Sequence, residues 1–373
     1  MYPETSRQIA ESIQKELDKL EKGNEKGDDK KGTGKNKGVL LVVDRSVDLL
    51  APLLHEFTYE AMAMDLAEEQ IETDNKMRRK YNYSVDLANG QTEPRSMELG
   101  NNGSGGEDAV WREYRYQHIS DAQGRLLKEV EKFAQSNKAI ADFQSGGEGK
   151  ANLTMVRDVV GAMPQFKAQM AIYGAHVNLM QRCMRRFNGD KLADLAIIEQ
   201  NLVMGTTPEN QKYVDGGLDI GQYLSSSNPK MNKLRLLLIF LLTNPRLTQT
   251  DRVKLLERAS LSGDARSAVD GLDSIVPVSV ANELREKIVA GCKKSKLTLS
   301  NVISTSKLWG SDSKKRGDSK AKDDDEVEET PYEVSRYVTA LKYITEAVLS
   351  GHIDSSILKK AGAPSHRRAG GMF

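Results

Sequence analysis

The sequence predicts a mainly α protein: a helical domain organised on a long antiparallel helical hairpin, joined to a single strand-turn-helix element of α/β type. Three stretches carry that prediction. Phe166, Met170, Tyr173, Val177, Met180, Met184 and Phe187 recur at alternating steps of four and three, a heptad stripe about six turns long; Asn188-Gly189 ends it before a second helix from Lys191 to about Met204. Lys233 to Thr243, KLRLLLIFLLT, is strongly apolar but at about eleven residues is a core helix, far short of the roughly 20 residues of a membrane span. Val39 to Val43 is a continuous aliphatic run, the pattern of a strand covered on both faces.

Taken in order, Thr5 and Gln8 predict a capping box for a first amphipathic helix with Ile9, Ile13, Leu17 and Leu20 on one face. Glu21 to Lys37 has no apolar residue and reads as a solvated linker. After the strand, Asp44-Arg45-Ser46-Val47-Asp48 forms a charged exit turn, Pro52 marks a chain turn, and a helical pattern runs from His55 to near Lys80. Residues 82–108 hold Gly90, Pro94 and a glycine cluster and are expected to be loop. Helix resumes at Trp111 and continues through Phe133. Gln144 to Lys150 breaks the pattern, Asn152 caps a short helix ending near Met163, and Pro164 opens the hairpin helix.

Beyond the hairpin, Thr248 to Ala259 and Gly263 to Leu272 read as short helices, Ser274 to Val280 as an extended piece, and Trp309 to Glu329 as a low-complexity loop. A last helix is expected from Tyr332 to about Leu349.

Composition narrows the function classes. A net charge of +1 supplies no global field for nucleic acid, so no nucleic-acid partner is expected. Cys183 and Cys292 stand far apart, which suits reduced thiols rather than a disulfide framework or zinc site; neither a metal nor a cofactor is expected. The N-terminus lacks a signal peptide's apolar region and no stretch spans a bilayer, so the expectation is a cytoplasmic chain that meets membranes only through partners.

Two sites compete for chemistry. Carboxylates at a strand end suit an α/β enzyme using Asp44 and Asp48, with His55 nearby; the alternative is a structural turn in which Asp44, Arg45 and Asp48 fix the chain. No second aspartate stands at Ser46, no phosphate-cradling glycine motif follows, and Ser104 lacks the glycine of a nucleophile elbow. His118 has no second metal ligand at helical spacing. The methionine-rich first half of the stripe, beside Pro164, suits a groove for a partner's amphipathic helix, and a seam against a neighbouring helix is the other reading.

The residues then resemble a known family. Asp44, Arg45, Asp48, Pro52, Leu54, His55, Glu56, Thr58, Ala61 and Met62 fall in the order seen in the Sec-one/Munc-eighteen (SM) proteins, which bind syntaxins and SNARE bundles. Trp111, His118 and Ile119 are similar to the family's next helix entry; Met163-Pro164-Gln165-Phe166 matches the start of its hairpin helix, with His176 and Val177 further along. Glu199-Gln200, Leu202 and Met204-Gly205 match with Val203 in place of Ala, and Tyr332-x-Val334-Ser335-Arg336-Tyr337 matches with Tyr337 in place of Trp and Thr339 where Pro is common.

The resemblance implies a non-enzymatic SNARE- and syntaxin-binding regulator of vesicle docking and fusion, of the exocytic type, held at plasma or vesicle membranes through its SNAREs. It places the vesicle-SNARE groove at Pro164, Phe166, Met170, Tyr173 and Val177, and syntaxin-facing positions at His118 and Lys138, although Asn137 stands where the family often has a second basic residue. It implies a partial second α/β domain in 1–50, a helical third domain in 51–362 with loops near 82–108 and 310–330, and a tail in 363–373. No convincing second strand accompanies Val39 to Val43, so that strand is expected to lack its sheet, as in a chain missing the first domain and the re-entering strand. A generic helical scaffold shares the fold without selectivity for SNARE helices.

Overall fold

The computed structural model describes residues 4–24, 39–86, 90–100, 107–137, 153–214, 216–275, 283, 285–290 and 335–349. Lys138, Cys292, Ser104, most of the 21–37 linker, the breaks at 144–150, the low-complexity run and the tail lie outside them. The described residues fall into two compact units, one holding those up to Leu53, from Gly217 to 290 and from Tyr337 on, the other Leu54–Gly216 with Ser335 and Arg336.

The first unit is helical: α1 (Glu4–Asn24), α7 (Gly216–Ser225), α8 (Lys230–Thr243), α9 (Gln249–Arg258), α10 (Asp264–Ile275) and α11 (Ala340–Leu349). Helix α8 is the apolar run, and a helix apolar all round must be buried all round. Leu236, Leu237, Ile239, Leu241 and Leu242 are accordingly sealed from solvent. Thr248 and Asp251 exchange hydrogen bonds in a capping box that starts α9. Thr5, expected to cap α1, lies inside that helix, and Ile9, Leu17 and Leu20 are exposed. Helix α11 starts later than expected, with the Thr339 hydroxyl accepting from the Lys342 N–H.

The expected buried strand is corrected here. Residues 39–44 have no regular structure; Val39 and Leu40 are 76% and 63% exposed. A strand satisfies its backbone only through a neighbour, and among the described residues none pairs with this segment. Its far end is anchored instead by packing, as Leu41, Val43 and Val47 lie against buried Ile288, Ile344 and Ala347.

The second unit contains α2 (Tyr59–Leu66), the strands β1 (Ile71–Thr73), β2 (Arg79–Asp86) and β3 (Thr92–Leu99), then α3 (Ala109–Tyr114), α4 (Ile119–Ser136), α5 (Leu153–Gly189) and α6 (Leu192–Met204). Two expectations fail in its first half. Helix α2 ends at Leu66 rather than near Lys80, and much of the stretch expected as loop is an antiparallel meander of order β1-β2-β3. Tyr81, Tyr83 and Val85 alternate along β2, opposite Met97, Arg95 and Glu93 of β3, which is the period-2 signal of a strand. Pro94 is tolerated because β3 is an edge strand, where a missing N–H need not cost a ladder bond.

The helix expected from Trp111 through Phe133 is two helices. The chain turns at Arg115–His118, and the His118 ring accepts from the Ser120 N–H to cap α4. Pro164 does not open a helix either: it sits inside the 37-residue α5, which is roughly 55 Å long at 1.5 Å per residue. The hairpin turn follows at once, with Lys191 in the left-handed region (φ 51°), and Gly205 (φ 66°) ends α6 in the conformation glycine adopts without strain.

Candidate functional site

The second half of the unit is organised on the stripe of α5, and its burial splits the stripe in two. Phe166, Tyr173 and Met180 are buried, whereas Met170, Val177 and Met184, also seven apart, are half-buried. A seven-residue step returns to nearly the same face, so one row points into the unit and the second forms a shoulder beside it.

Helix α4 covers the first row. Phe133 stacks on Phe166 with ring centroids 5.5 Å apart and meets Tyr173 edge-on at 5.6 Å. The Tyr173 hydroxyl donates to Glu129 Oε1 at 2.8 Å, and Tyr114 donates to the other oxygen at 2.7 Å. Burial, and then Glu129, push the Tyr173 phenol up to about 12. Of the five residues expected to line a groove, Phe166 and Tyr173 are thus committed to a seam with the chain's own helix. The reason is their size and ring geometry: each finds an aromatic partner on α4. Pro164 is exposed, and Met170 and Val177 remain on the shoulder.

Beneath the shoulder lies a polar core the sequence reading did not find. His176 is fully buried; its Nδ1 is 2.8 Å from the Tyr59 hydroxyl and its Nε2 is 3.0 Å from Asp108 Oδ2. Trp111 stacks on the imidazole at 6.3 Å, and Asp108 Oδ1 accepts from the Trp111 N–H at 3.0 Å. Burial alone would raise the Asp108 carboxyl, but His176 and the N–H groups of Trp111 and Gly100 outweigh it and hold the carboxyl below its ordinary value. Burial pushes Tyr59 well above the usual phenol range, with Cys183 and Asp108 adding to it. A second buried histidine, His55, sets its Nδ1 2.8 Å from Glu199 Oε1, and its backbone N–H donates to Oε2 at 3.0 Å. Both pairs join residues more than 60 positions apart, so spacing could not reveal them.

His118 is half-buried and edge-on to Phe57 at 6.5 Å; burial lowers its imidazole pKa, against the pull of Asp121. Lys138 lies outside the described residues.

In the other unit, Asp44 accepts from the Ser46 N–H at 2.9 Å and the Ser6 hydroxyl at 3.3 Å, and the Ser46 side chain leads the causes that lower its pKa. Arg45 donates to the Asp48 carbonyl at 2.7 Å. Asp48, only 2% exposed, accepts from the Leu50 and Ala51 N–H groups at 3.2 and 3.0 Å, the Ala340 N–H at 2.9 Å and the Tyr337 hydroxyl at 2.7 Å. Both carboxylates are therefore spent on the chain's own groups, the geometry of a structural turn rather than of an acid-base pair.

The family model described as the Sec1 family matches residues 2–369. The chain belongs to the Sec1 family. Within it, the chain is similar to "Protein transport protein sec1" of Dictyostelium discoideum, 29% identical over 324 residues that cover 86% of this chain and 46% of that protein. It is also similar to "SNARE-interacting protein KEULE" of Arabidopsis thaliana, 31% identical over 239 residues, 62% of this chain and 33% of that one. The chain thus spans a third to a half of the length of these Sec1-family relatives.

Solved structures share the fold. The Unc18–syntaxin 1 complex from Monosiga brevicollis matches at TM-score 0.63 and 22% identity, over 95% of this chain and 54% of that one. The SM protein Vps45 in complex with the Qa SNARE Tlg2 matches at TM-score 0.61 and 16% identity, over 94% and 54%. A mainly α Sec1-family architecture with a long helical hairpin is what the residues predicted, and the hairpin motif Met163 to Phe166 falls within α5.

Proposed function

We propose that this chain is the SNARE-binding part of a regulator of vesicle docking and membrane fusion, acting by helix recognition and not by catalysis. Membership of the Sec1 family across residues 2–369 is the observation that carries the reading. It is supported by a relative named for SNARE interaction and by solved relatives in complex with syntaxin 1 and with Tlg2. The docking surface on this reading is the α5 shoulder, Met170, Val177 and Met184, with exposed Pro164 at its head; Phe166 and Tyr173 hold the shoulder in place from below. On this reading attachment to plasma or vesicle membranes runs through the SNARE partners; no described helix is long and apolar enough to cross a membrane.

Half-buried side chains recognise a partner by giving up their remaining exposure. Three or four anchors on the partner helix, buried from full exposure at about 1.5 to 3 kcal/mol each, less ordering and association costs, amount to an affinity on the order of micromolar. Val177→Asp is expected to weaken binding of a vesicle-SNARE helix at least about tenfold, because the partner must then desolvate a carboxylate. Circular dichroism should stay native, since the position retains solvent contact. Titration of the full chain with syntaxin and vesicle-SNARE segments checks this; equal vesicle-SNARE binding by wild type and variant would count against the shoulder as the docking site, and no selective binding of either segment would favour a helical scaffold.

A further inference from the structure

A cleft of about 700 Å³ opens between β2, β3 and the C-terminal half of α5, away from the shoulder. Tyr81, Tyr83, Arg95, Arg182, Arg185 and Gln70 are among its walls, and none of the described lining residues is a carboxylate. Lys80 also borders it, but strand alternation turns its side chain to the opposite sheet face from Tyr81, where Glu72 and Glu98 stand across from it, so its charge is set aside. Arg95 is paired with Glu93 at 2.8 Å. Arg182 and Arg185 have no ion pair among the described residues, and both act on Tyr81, whose phenol burial pushes up to about 12 against the pull of the two guanidinium groups.

Two buried polar atoms on side chains that line this cleft have no hydrogen-bond partner among the described residues: Arg182 Nε, a donor, and Gln70 Oε1, an acceptor. An unpaired buried polar atom is costly, so turning both toward the cleft to meet a ligand that completes them is favoured. It must accept from guanidinium and donate to an amide oxygen. The Tyr81 hydroxyl is already spent on Asn178 at 2.7 Å, and Tyr81 and Tyr83 stack at 5.2 Å as one flat wall, with Tyr83 the more open of the two.

We propose that this cleft binds a small phosphate-bearing polyol, with phosphate on Arg182 and Arg185, a hydroxyl on Gln70 and the ring over Tyr83. Guanidinium groups match phosphate oxygens with paired charge-assisted hydrogen bonds, and the cleft's volume lies in the range of small-ligand sites. Free inositol phosphates and the headgroups of inositol phospholipids share this chemistry.

Calorimetric titration of the full chain with inositol trisphosphate, with inorganic phosphate and with a tyrosine-phosphorylated peptide tests the proposal, alongside flotation with phosphatidylcholine vesicles with and without phosphatidylinositol bisphosphate. The variants are Arg182→Gln with Arg185→Gln, exposed Arg185→Gln alone should the pair fail to fold, and Arg112→Gln as a charge control outside the cleft. Inositol trisphosphate should bind wild type and the control, and the cleft variants at least about tenfold less tightly; binding confined to the bisphosphate vesicles, lost in the same variants, assigns the lipid source. No binding to either, equal losses in the Arg112 control, equal affinity for inorganic phosphate, or preference for the phosphopeptide overturns it.

Discussion

Asp48→Ala is expected to destabilise the first unit by about 3–5 kcal/mol, the range for breaking a buried charged network by removing one partner. The carboxylate holds together parts of the chain that only folding brings close: the Tyr337 hydroxyl donates to it across 289 positions and the Ala340 N–H across 292. Arg285 stands 4.0 Å from it, lies over the Tyr337 ring at 4.5 Å and donates to the Tyr337 hydroxyl at 2.7 Å. Alanine would leave these donors without their acceptor in a buried site, while the guanidinium keeps its bonds to the Tyr337 hydroxyl and the Val338 carbonyl and loses only its nearby countercharge. Urea unfolding followed by circular dichroism measures the loss. A change under about 1 kcal/mol would show that the network adds little to the unit.

His176→Leu should cost the second unit about 2–4 kcal/mol, because leucine fills the space but abandons the Tyr59 hydroxyl and leaves Asp108 Oδ2 only the long bond from the Gly100 N–H. The pH dependence separates this from a packing effect. Asp108 has a depressed folded pKa, so its stabilising contribution is complete above the unfolded value, about 3.9, and is lost as pH falls through the lower folded value. The gap between wild type and variant should therefore narrow below about pH 4. A gap that is constant with pH would mean that His176 matters here for its volume alone.

What was legible in the sequence was local. An apolar run such as Lys233 to Thr243 can bury itself only as a core helix, and it does. The stripe from Phe166 to Phe187 gave the hairpin helix its period, but period does not say which neighbour covers which row; Phe133, which settles it, lies on another helix. The segment from Val39 was read as a strand from its β-branched side chains, yet a strand is defined by its pairing, which no single segment states. The meander was missed for the opposite reason. Gly90 and Pro94 read as punctuation, while the alternation of Tyr81, Tyr83 and Val85 with polar residues is the true signal. Pro164 was read as a helix start because proline favours the first turn, but helix continues through it.

Likewise, the carboxylates at 44 and 48 looked equally available from spacing alone. Only the distant donors show that one is a surface turn acceptor and the other a buried junction.

The shoulder of α5 as the surface that receives a SNARE helix is tested most directly by photocrosslinking. Benzoylphenylalanine in place of Val177 or Met184, on the full chain, should form an adduct with a vesicle-SNARE helix; the same group in place of fully buried Leu195 should not. No adduct from 177 and 184, or an equal yield from 195, would contradict the account.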